Sequence, residues 1–565
     1  MQIIIPMSGF GERFRRAGYS IPKPLIEVDG KPIVAHVIDL FPGESDFLFI
    51  CNQLHLDTPE FRMREILQQY CPSGKIIGIA PHRLGPINAV LQARECININ
   101  EPTIINYCDF TCYWDWQNFK IFVSQSNCSG AIPAYKGFHP HTLGSTNYAY
   151  LFERDGWVGG IQEKQPYTSN RMEEYASSGT YYFSSGKLML SAFDEVLQGN
   201  DHVGGEYYVS LAYKPIIANG GSVAVYPLQH FMQWGTPEDL AEYQSWSSTF
   251  RALMSPREAS APRGASVIPM AGLGQRFANE GYSVTKPLIL VSGKPMVMQA
   301  TNDLPPSKQY QFILRKDMPG QLEIATALSR EYLGSKIQVI DKVTEGQACT
   351  ALLGVEALES ERHQDGAIEW ITFGACDSGF LYDEKKLQSM MANPDVDVIV
   401  WAARGHANAI RHPKMFGWID TDTNGLINRI SVKEGLGQPI SDPIVIGTFT
   451  FKRANDFKLA VEKLFSRDGR VNGEFYLDSC INDAIALGLK CYLFEVDHFL
   501  SWGTPNDLRT FEYWQSCFDK WPSHPYKLNL DSRVPENSIA ELRHKYRSIE
   551  PKPSGVVNVF ASKAK

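Results

Sequence analysis

Two short stretches of this chain carry the same chemical groups at the same spacing. Gly9 and Gly11 are followed by Arg13 and Phe14, with Lys23 ten residues beyond the arginine; Gly272, Gly274, Arg276, Phe277 and Lys286 repeat the pattern. Glycines let backbone N–H groups converge on an anion, a guanidinium offers a planar fork to phosphate oxygens, and a lysine adds a point charge. The chemistry these groups suggest is the handling of a phosphorylated ligand, twice over. The surrounding segments, residues 5–32 and 268–295, are identical at 18 of 28 positions without a gap, so the chain is a tandem duplication.

Neither loop fits the commoner phosphate signatures. A dinucleotide site would show G-x-G-x-x-G with an acidic residue further on, and a P-loop would show Gly-Lys-Ser/Thr. Here each lysine is followed by Pro, Leu and Ile and then by a Gly-Lys-Pro turn. In this combination the chain strongly resembles the sugar-phosphate nucleotidyltransferases, which carry G-x-G-x-R and K-P elements on a glycosyltransferase-A-like, Rossmann-like fold. The wording I-P-M-x-G-x-G, G-Y-S and K-P-L-I looks like the branch associated with capsule and lipopolysaccharide precursors. The resemblance spans residues 1–245 and 265–515. It implies that a sugar-1-phosphate oxygen attacks the α-phosphorus of a nucleoside triphosphate in line while pyrophosphate leaves. Such catalysis is positioning and charge neutralisation, with no side-chain nucleophile. By the family's pattern, Arg13, Lys23, Arg276 and Lys286 hold the triphosphate and stabilise the departing pyrophosphate.

The resemblance also places the other groups of the site. Asp109 in IINYCDFT and Asp377 in TFGACDSG stand where the family binds Mg²⁺, and one carboxylate plus phosphate oxygens suits that ion. A second family aspartate is replaced by Gln233 and Ser501, just before the two Trp-Gly-Thr-Pro turns; Asp497 is a candidate substitute in the second copy. On the sugar side the pattern implies Lys164 (after Glu163) and Lys433 (after Val432) for the phosphate. It implies Gly179, Thr180, Gly447 and Thr448 for the pocket wall, and Glu206 and Glu474 for sugar hydroxyls. Gly85 and Gly346 fall on the base-contact turn, where Pro86 and Gln347 differ between the copies. Plainer roles stand beside these: helix N-caps for the aspartates, solvated positions for the lysines, and caps or ion pairs for the glutamates. The Trp-Gly-Thr-Pro segments read as structural turns with tryptophan in the core, and His139 and His141 as loop residues.

These groups need a scaffold, and the rest of the sequence describes one. Matching positions keep an offset of 261–269 along the whole repeat, so insertions are confined to loops. IIIPM, DFLFICN, KIIGIA, TIINYCD and SGAIPAY read as strands, as do QFILR, KIQVID, WITFGACD and VDVIVWAA. Residues 87–96 and 349–358 read as helices. The alternation predicts an α/β fold, each copy a mixed, mostly parallel sheet with helices on both faces and ligands at the carboxyl ends of the strands. The domains are then 1–246 and 265–518, with a Ser/Ala/Pro/Arg-rich linker at 247–264 and a surface tail at 519–565. In that tail the capping box Ser538–Glu541 starts a short helix through Tyr546.

Composition bounds the partners. A net charge of −8 and a pI near 6.0 leave no basic face for nucleic acid or anionic membrane, and no apolar run reaches the length of a membrane helix. Eleven cysteines without C-x-x-C pairs read as reduced thiols of a cytoplasmic protein, Cys108 and Cys376 as strand packing. The expected partners are a nucleoside triphosphate and a sugar phosphate or related phosphorylated polyol, with homo-oligomerisation left open. Three versions of the enzyme remain: two active copies with different substrates, two with the same substrate, or one active and one regulatory. A glycosyltransferase would carry D-x-D where the chain reads Asp109-Phe110-Thr111 and Asp377-Ser378-Gly379. A non-catalytic nucleotide-sugar sensor is the third class.

Overall fold

Ile3, Ile5 and Met7 enter one hydrophobic core while Ile4 enters another, as a strand covered on both faces requires. In this computed structural model, which describes all residues except 146, 257–259, 361–367, 546–550, 554–557 and 561–565, the strand Gln2–Met7 is third from one edge of a ten-stranded sheet. Its first half is parallel: Lys75–Ile79, Phe47–Asn52, Gln2–Met7 and Thr103–Asn106 lie side by side. Helices cover both faces. Val34 and Val37, Leu67, and Phe119 and Phe122 pack on one side; Ile87 and Val90, Phe193, and Ile216 pack on the other.

The second unit repeats the plan around Ala265–Pro269, which pairs in parallel with Gln309–Arg315 and Glu369–Phe373. Val355, Phe457 and Ile481 cover one face, and Val297, Ile324 and Leu387 the other. The α/β class with helices on both faces is therefore observed in both units. The sheets are less parallel than the alternation predicts: Thr180–Phe183 and Ile444–Arg453 run antiparallel to their neighbours, and the segment Ala149–Glu163 folds back on itself as a hairpin. A short strand-turn-strand segment has no room for the crossover that a parallel return needs, so it comes back antiparallel.

The boundaries also differ. The helix Pro237–Leu253 runs unbroken through the first part of the expected linker, and the helix Pro505–Lys520 passes residue 518. One compact unit comprises Met1–Ser248 with Cys517–His524 and His544–Lys565; the other comprises Thr249–Ser516 with Pro525–Arg543. The expected surface tail is therefore divided between them, because it carries aromatic anchors. In the first unit the Trp521 ring lies 5.7 Å from His36 and 6.3 Å from Trp234. Further on, the Phe560 ring lies tilted 5.9 Å from Phe152 and covers Gly159, where any Cβ would collide with it. A helix spans Ile539–Lys545; Tyr546, its expected end, lies outside the described residues. Among the described residues no helix is long and apolar enough to cross a membrane, and all eleven cysteines are free.

Both Trp-Gly-Thr-Pro segments close the units as structural turns. Trp234 and Trp502 are fully buried, and Thr236 with Asp239, like Thr504 with Asp507, forms a reciprocal cap at the start of the closing helix. Removing a buried tryptophan leaves a cavity that its neighbours refill only in part. Trp234→Ala should cost the first unit about 3–5 kcal/mol, read as a lower urea midpoint by near-UV circular dichroism, whereas a change below about 1 kcal/mol would show that the turn is not a core anchor.

Candidate active site

Each opening strand leads to a glycine in the left-handed region, Gly11 at φ 63° and Gly274 at φ 64°, which starts a one-turn helix. No side chain intrudes there, and the following lysine packs against the bare backbone: Cβ of Lys23 lies 3.9 Å from the place a Gly11 side chain would take, and Cβ of Lys286 lies 3.2 Å from that of Gly274. The lysine then reaches the loop after the strand Thr103–Asn106 in the first unit and after Glu369–Phe373 in the second. Lys23 Nζ donates to Asp109 Oδ2 at 2.9 Å, and Lys286 Nζ donates to Asp377 Oδ2 and to the Gly503 carbonyl. Burial alone would depress both ammonium groups; the facing carboxylates outweigh it and hold them above the ordinary lysine value, fully charged.

The two aspartates are fixed by backbone rather than by helix capping. Trp234 N–H donates to the Asp109 carbonyl at 2.8 Å and Trp502 N–H to that of Asp377 at 2.9 Å, which closes a two-stranded ladder beside each aspartate. Arg13 and Arg276 are exposed, and among the described residues neither takes part in an ion pair. Their charges still act on the site, Arg13 on Lys23 and Tyr208, Arg276 on Lys286, Lys433 and Tyr476. Each unit therefore holds one paired cation and presents a second to solvent, an arrangement suited to an incoming polyanion.

In the first unit these groups open onto a cavity of about 180 Å³. Arg13, Asp109, Lys164, Gly179 and Gln233 line it. Lys164 ends the strand Trp157–Glu163 with φ 59°, and Lys433 stands at the same point of the second unit with φ 63°. A lysine in the left-handed region is a strained choice, and finding it twice marks a position whose side-chain direction matters. Lys164 Nζ lies 4.3 Å from the centre of the Tyr208 ring and hydrogen-bonds its hydroxyl, which in turn donates to Glu206.

Not every expected group reaches the cavity. Thr180 turns its hydroxyl away to Asn106 Oδ1, at 2.5 Å, because alternate residues of a strand face opposite sides. Glu206 is engaged by Tyr208 and stands outside the lining; Gly85 does too. Gly85 serves a close approach instead: a Cβ there would lie 2.7 Å from Tyr207 N, and one on Gly346 would lie 2.4 Å from the Phe475 carbonyl oxygen. These contacts dock the Gly-Glu-Tyr-Tyr and Gly-Glu-Phe-Tyr segments onto the turns, with Tyr207 N–H donating to Leu84 and Phe475 N–H to Glu345. Gly9 and Gly272 border the opening loops with nothing near their Cα atoms, and Gln347 is exposed. Gly447, Thr448 and Glu474 hold the positions of Gly179, Thr180 and Glu206, Thr448 being buried.

Asp497 cannot take the place of a second carboxylate beside Asp377. It precedes His498, which pairs with Leu381 at the far end of the ladder from Ser378 and Ser501, about 10 Å along the strands. His139 and His141 are not ordinary loop residues but are buried among Tyr135, Tyr148 and Phe231, where burial pushes His139 down to about 4 and keeps it neutral. Cys108 is buried and Cys376 half-buried, and desolvation pushes both thiols up to about 12, so they are inert packing. The sequence reading missed Tyr148, Ser177, Ser178 and Tyr181, all in the lining. Their signal was available in the second copy, which has Phe416, Val445, Ile446 and Phe449 at the matching positions.

The donor set bears on a metal. Among the described residues no three His, Cys, Asp or Glu side chains converge, and Gln233 Nε2 donates to Asp239. A single half-buried carboxylate per unit, with one oxygen outside the lysine pair, fits Mg²⁺ only as an ion shared with ligand phosphates and water.

No family model matches the chain. It is 26% identical over 245 residues to mannose-1-phosphate guanyltransferase beta-B of Xenopus laevis, covering 42% of this chain and 62% of that protein. It is 22% identical over 210 residues to the bifunctional protein GlmU of Fervidobacterium nodosum, covering 37% and 42%. The chain thus spans about three fifths or less of the curated relatives it matches. Among solved structures it is similar to a nucleoside-diphosphate-sugar pyrophosphorylase from Vibrio cholerae RC9, at 20% identity and a TM-score of 0.36, over 43% of this chain and 99% of that one. The sequence relatives bear out the resemblance to sugar-phosphate nucleotidyltransferases.

Each unit holds a carboxyl raised by burial near its strand-end lysine, Glu163 in the first and Asp478 in the second. Asp478 lies beside Lys433, yet burial outweighs the lysine and pushes its carboxyl up to about 6. Between about pH 4 and 6 the folded state keeps a proton that the unfolded state has lost, so this group lowers stability as pH rises through that window and adds nothing further above it. Asp478→Asn removes the penalty. The gap between the urea midpoints of wild type and variant should change across pH 4–6 and level off by pH 7; a constant gap would refute the raised carboxyl.

Proposed function

We propose that each unit of this chain transfers a nucleotidyl group from a nucleoside triphosphate to a phosphorylated sugar or related polyol. The reading rests on one observation above the others: the same lysine–aspartate pair stands beside the same glycine–arginine loop in both units. The similarity to sugar-1-phosphate nucleotidyltransferases supports it. In the reaction an oxygen of the sugar phosphate forms a bond to the α-phosphorus while the bond from that phosphorus to the bridging oxygen breaks. Pyrophosphate departs with the electron pair.

The chain's own groups do the positioning. Arg13 and Arg276 receive the β- and γ-phosphates, and the glycine loops leave backbone N–H groups open to them. Lys23 and Lys286 balance the charge that gathers on the leaving oxygen, and the aspartates keep these ammonium groups protonated and aimed. Lys164 and Lys433 meet the second phosphate; the rigid left-handed backbone sets their direction. Gln347 borders the base on the turn that Gly85 and Gly346 allow, and Gly179 and Gly447 border the sugar, with Thr180, Thr448, Glu206 and Glu474 shaping the segments behind. Asp109 and Asp377 would hold Mg²⁺ together with phosphate oxygens, and the ion supplies charge neutralisation across the triphosphate. The activity fits a cytoplasmic supply of nucleotide-sugars for surface polysaccharide.

Pyrophosphate release with Mg²⁺ over a grid of nucleoside triphosphates and sugar-1-phosphates tests this. Lys23→Ala and Lys286→Ala should each lower the release contributed by its own unit by at least about 100-fold. Release unaffected by either substitution, or none from the wild type on the full grid, would overturn the reading.

A further inference from the structure

The two units keep the phosphate-handling groups alike and change the floor beneath them. Their equivalence is set by backbone: Lys164 N–H donates to the Tyr148 carbonyl at 2.8 Å and Lys433 N–H to that of Phe416 at 3.0 Å, and Gly179 and Gly447 share a left-handed φ of 94° and 79°. Positions 148, 163, 177, 181 and 210 therefore correspond to 416, 432, 445, 449 and 478.

In the first unit that floor is a hydroxyl network. Ser210 Oγ donates to Glu163 Oε2 at 2.6 Å, the Tyr181 hydroxyl is held by Ser177 and Ser210, and Tyr148 adds a further phenol to the cavity wall. In the second unit the same positions are Val432, Val445, Phe449 and Phe416, with Val445 and Phe449 buried as Ser177 and Tyr181 are. The carboxylate has changed sides. Asp478 replaces Ser210, and the hairpin makes room for it with Gly417, where a Cβ would come within 2.3 Å of Asp478 Oδ2; the first unit has Ala149 there. A coordinated exchange of four polar positions for apolar ones plus one relocated carboxylate is a change of ligand chemistry, not drift of a spare domain.

We propose, building on the nucleotidyl-transfer reading, that the two units serve different substrates: the first a polyhydroxylated sugar or polyol phosphate, the second a phosphorylated counterpart lacking hydroxyls on the face toward Val432, Val445 and Phe449. In the first site, a substrate without those hydroxyls offers nothing to the Glu163 oxygen that Ser210 does not hold or to the Tyr148 hydroxyl in the wall. In the second, a hydroxylated substrate loses its water against hydrocarbon and gains no partner. Asp478 is left to read a single polar group.

The test is pyrophosphate release by the full chain on matched pairs of hydroxylated and deoxy sugar-1-phosphates, with ATP, CTP, GTP, UTP and dTTP. Product lines lost in Lys23→Ala are assigned to the first unit and those lost in Lys286→Ala to the second. The first line should prefer the hydroxylated member by about 100-fold or more in kcat/KM, and the second the deoxy member by about 10-fold or more. The double variant Val432→Glu/Phe449→Tyr should move the second line's ratio toward the first. Because the wild-type ratios decide the matter alone, a variant that fails to fold does not weaken the test. The same preference on both lines would overturn the proposal while the nucleotidyl-transfer reading stands; release on only one line across every pair would overturn it and confine that reading to one unit. No release on either line would overturn both.

Discussion

A lysine ammonium withdrawn from water has to be met by a carboxylate, and much of each unit exists to make Lys23 meet Asp109 and Lys286 meet Asp377. The lysine arrives on a rigid turn after a glycine whose missing side chain it packs against. The aspartate arrives on a loop pinned by the N–H of a fully buried tryptophan. Three separate parts of the chain, the opening loop, the loop that carries the aspartate and the closing turn, thus converge on one ion pair. Because its desolvation cost is recovered only with good geometry, the pair ties the placement of all three together.

The glycine–arginine–lysine end of the site was legible because its residue types are unusual and occur twice. Glycine, arginine and lysine at one spacing have few structural excuses, and the strands that carry them are uninterrupted apolar runs. The hairpin Ala149–Glu163 and the antiparallel strand Thr180–Phe183 were harder, since periodicity shows that a segment is a strand but not which way it runs. Side-chain direction was harder still. Thr180 sits next to Gly179 in sequence yet faces Asn106, and Glu206 is taken by its own neighbour Tyr208. Ser177 and Tyr181 look like ordinary strand residues until the fold puts them in one wall. The division of the tail between units, set by Trp521 and Phe560, depends on distant partners that no local pattern announces.

Duplication gives this molecule an internal comparison. Where both copies keep a residue against its conformational preference, as with the left-handed Lys164 and Lys433, the position is constrained by something other than stability. Where they differ together, as with Glu163 and Ser210 against Val432 and Asp478, the change has been compensated: a carboxylate disappears from one element and reappears on its neighbour, with a glycine opened to receive it. The cost of housing it remains visible in the raised carboxyl of Asp478.

The inclusion of Cys517–His524 in the first unit has a consequence for the order of events during synthesis. His36 and Trp234 belong to the early part of the chain, yet the ring that packs against both, Trp521, is made only after the sheet of the second unit has emerged. Domains usually complete themselves in turn as they leave the ribosome. Here the amino-terminal domain waits with an uncovered aromatic patch while its successor is built, and a nascent chain stalled before residue 517 holds a first domain whose wall is still open.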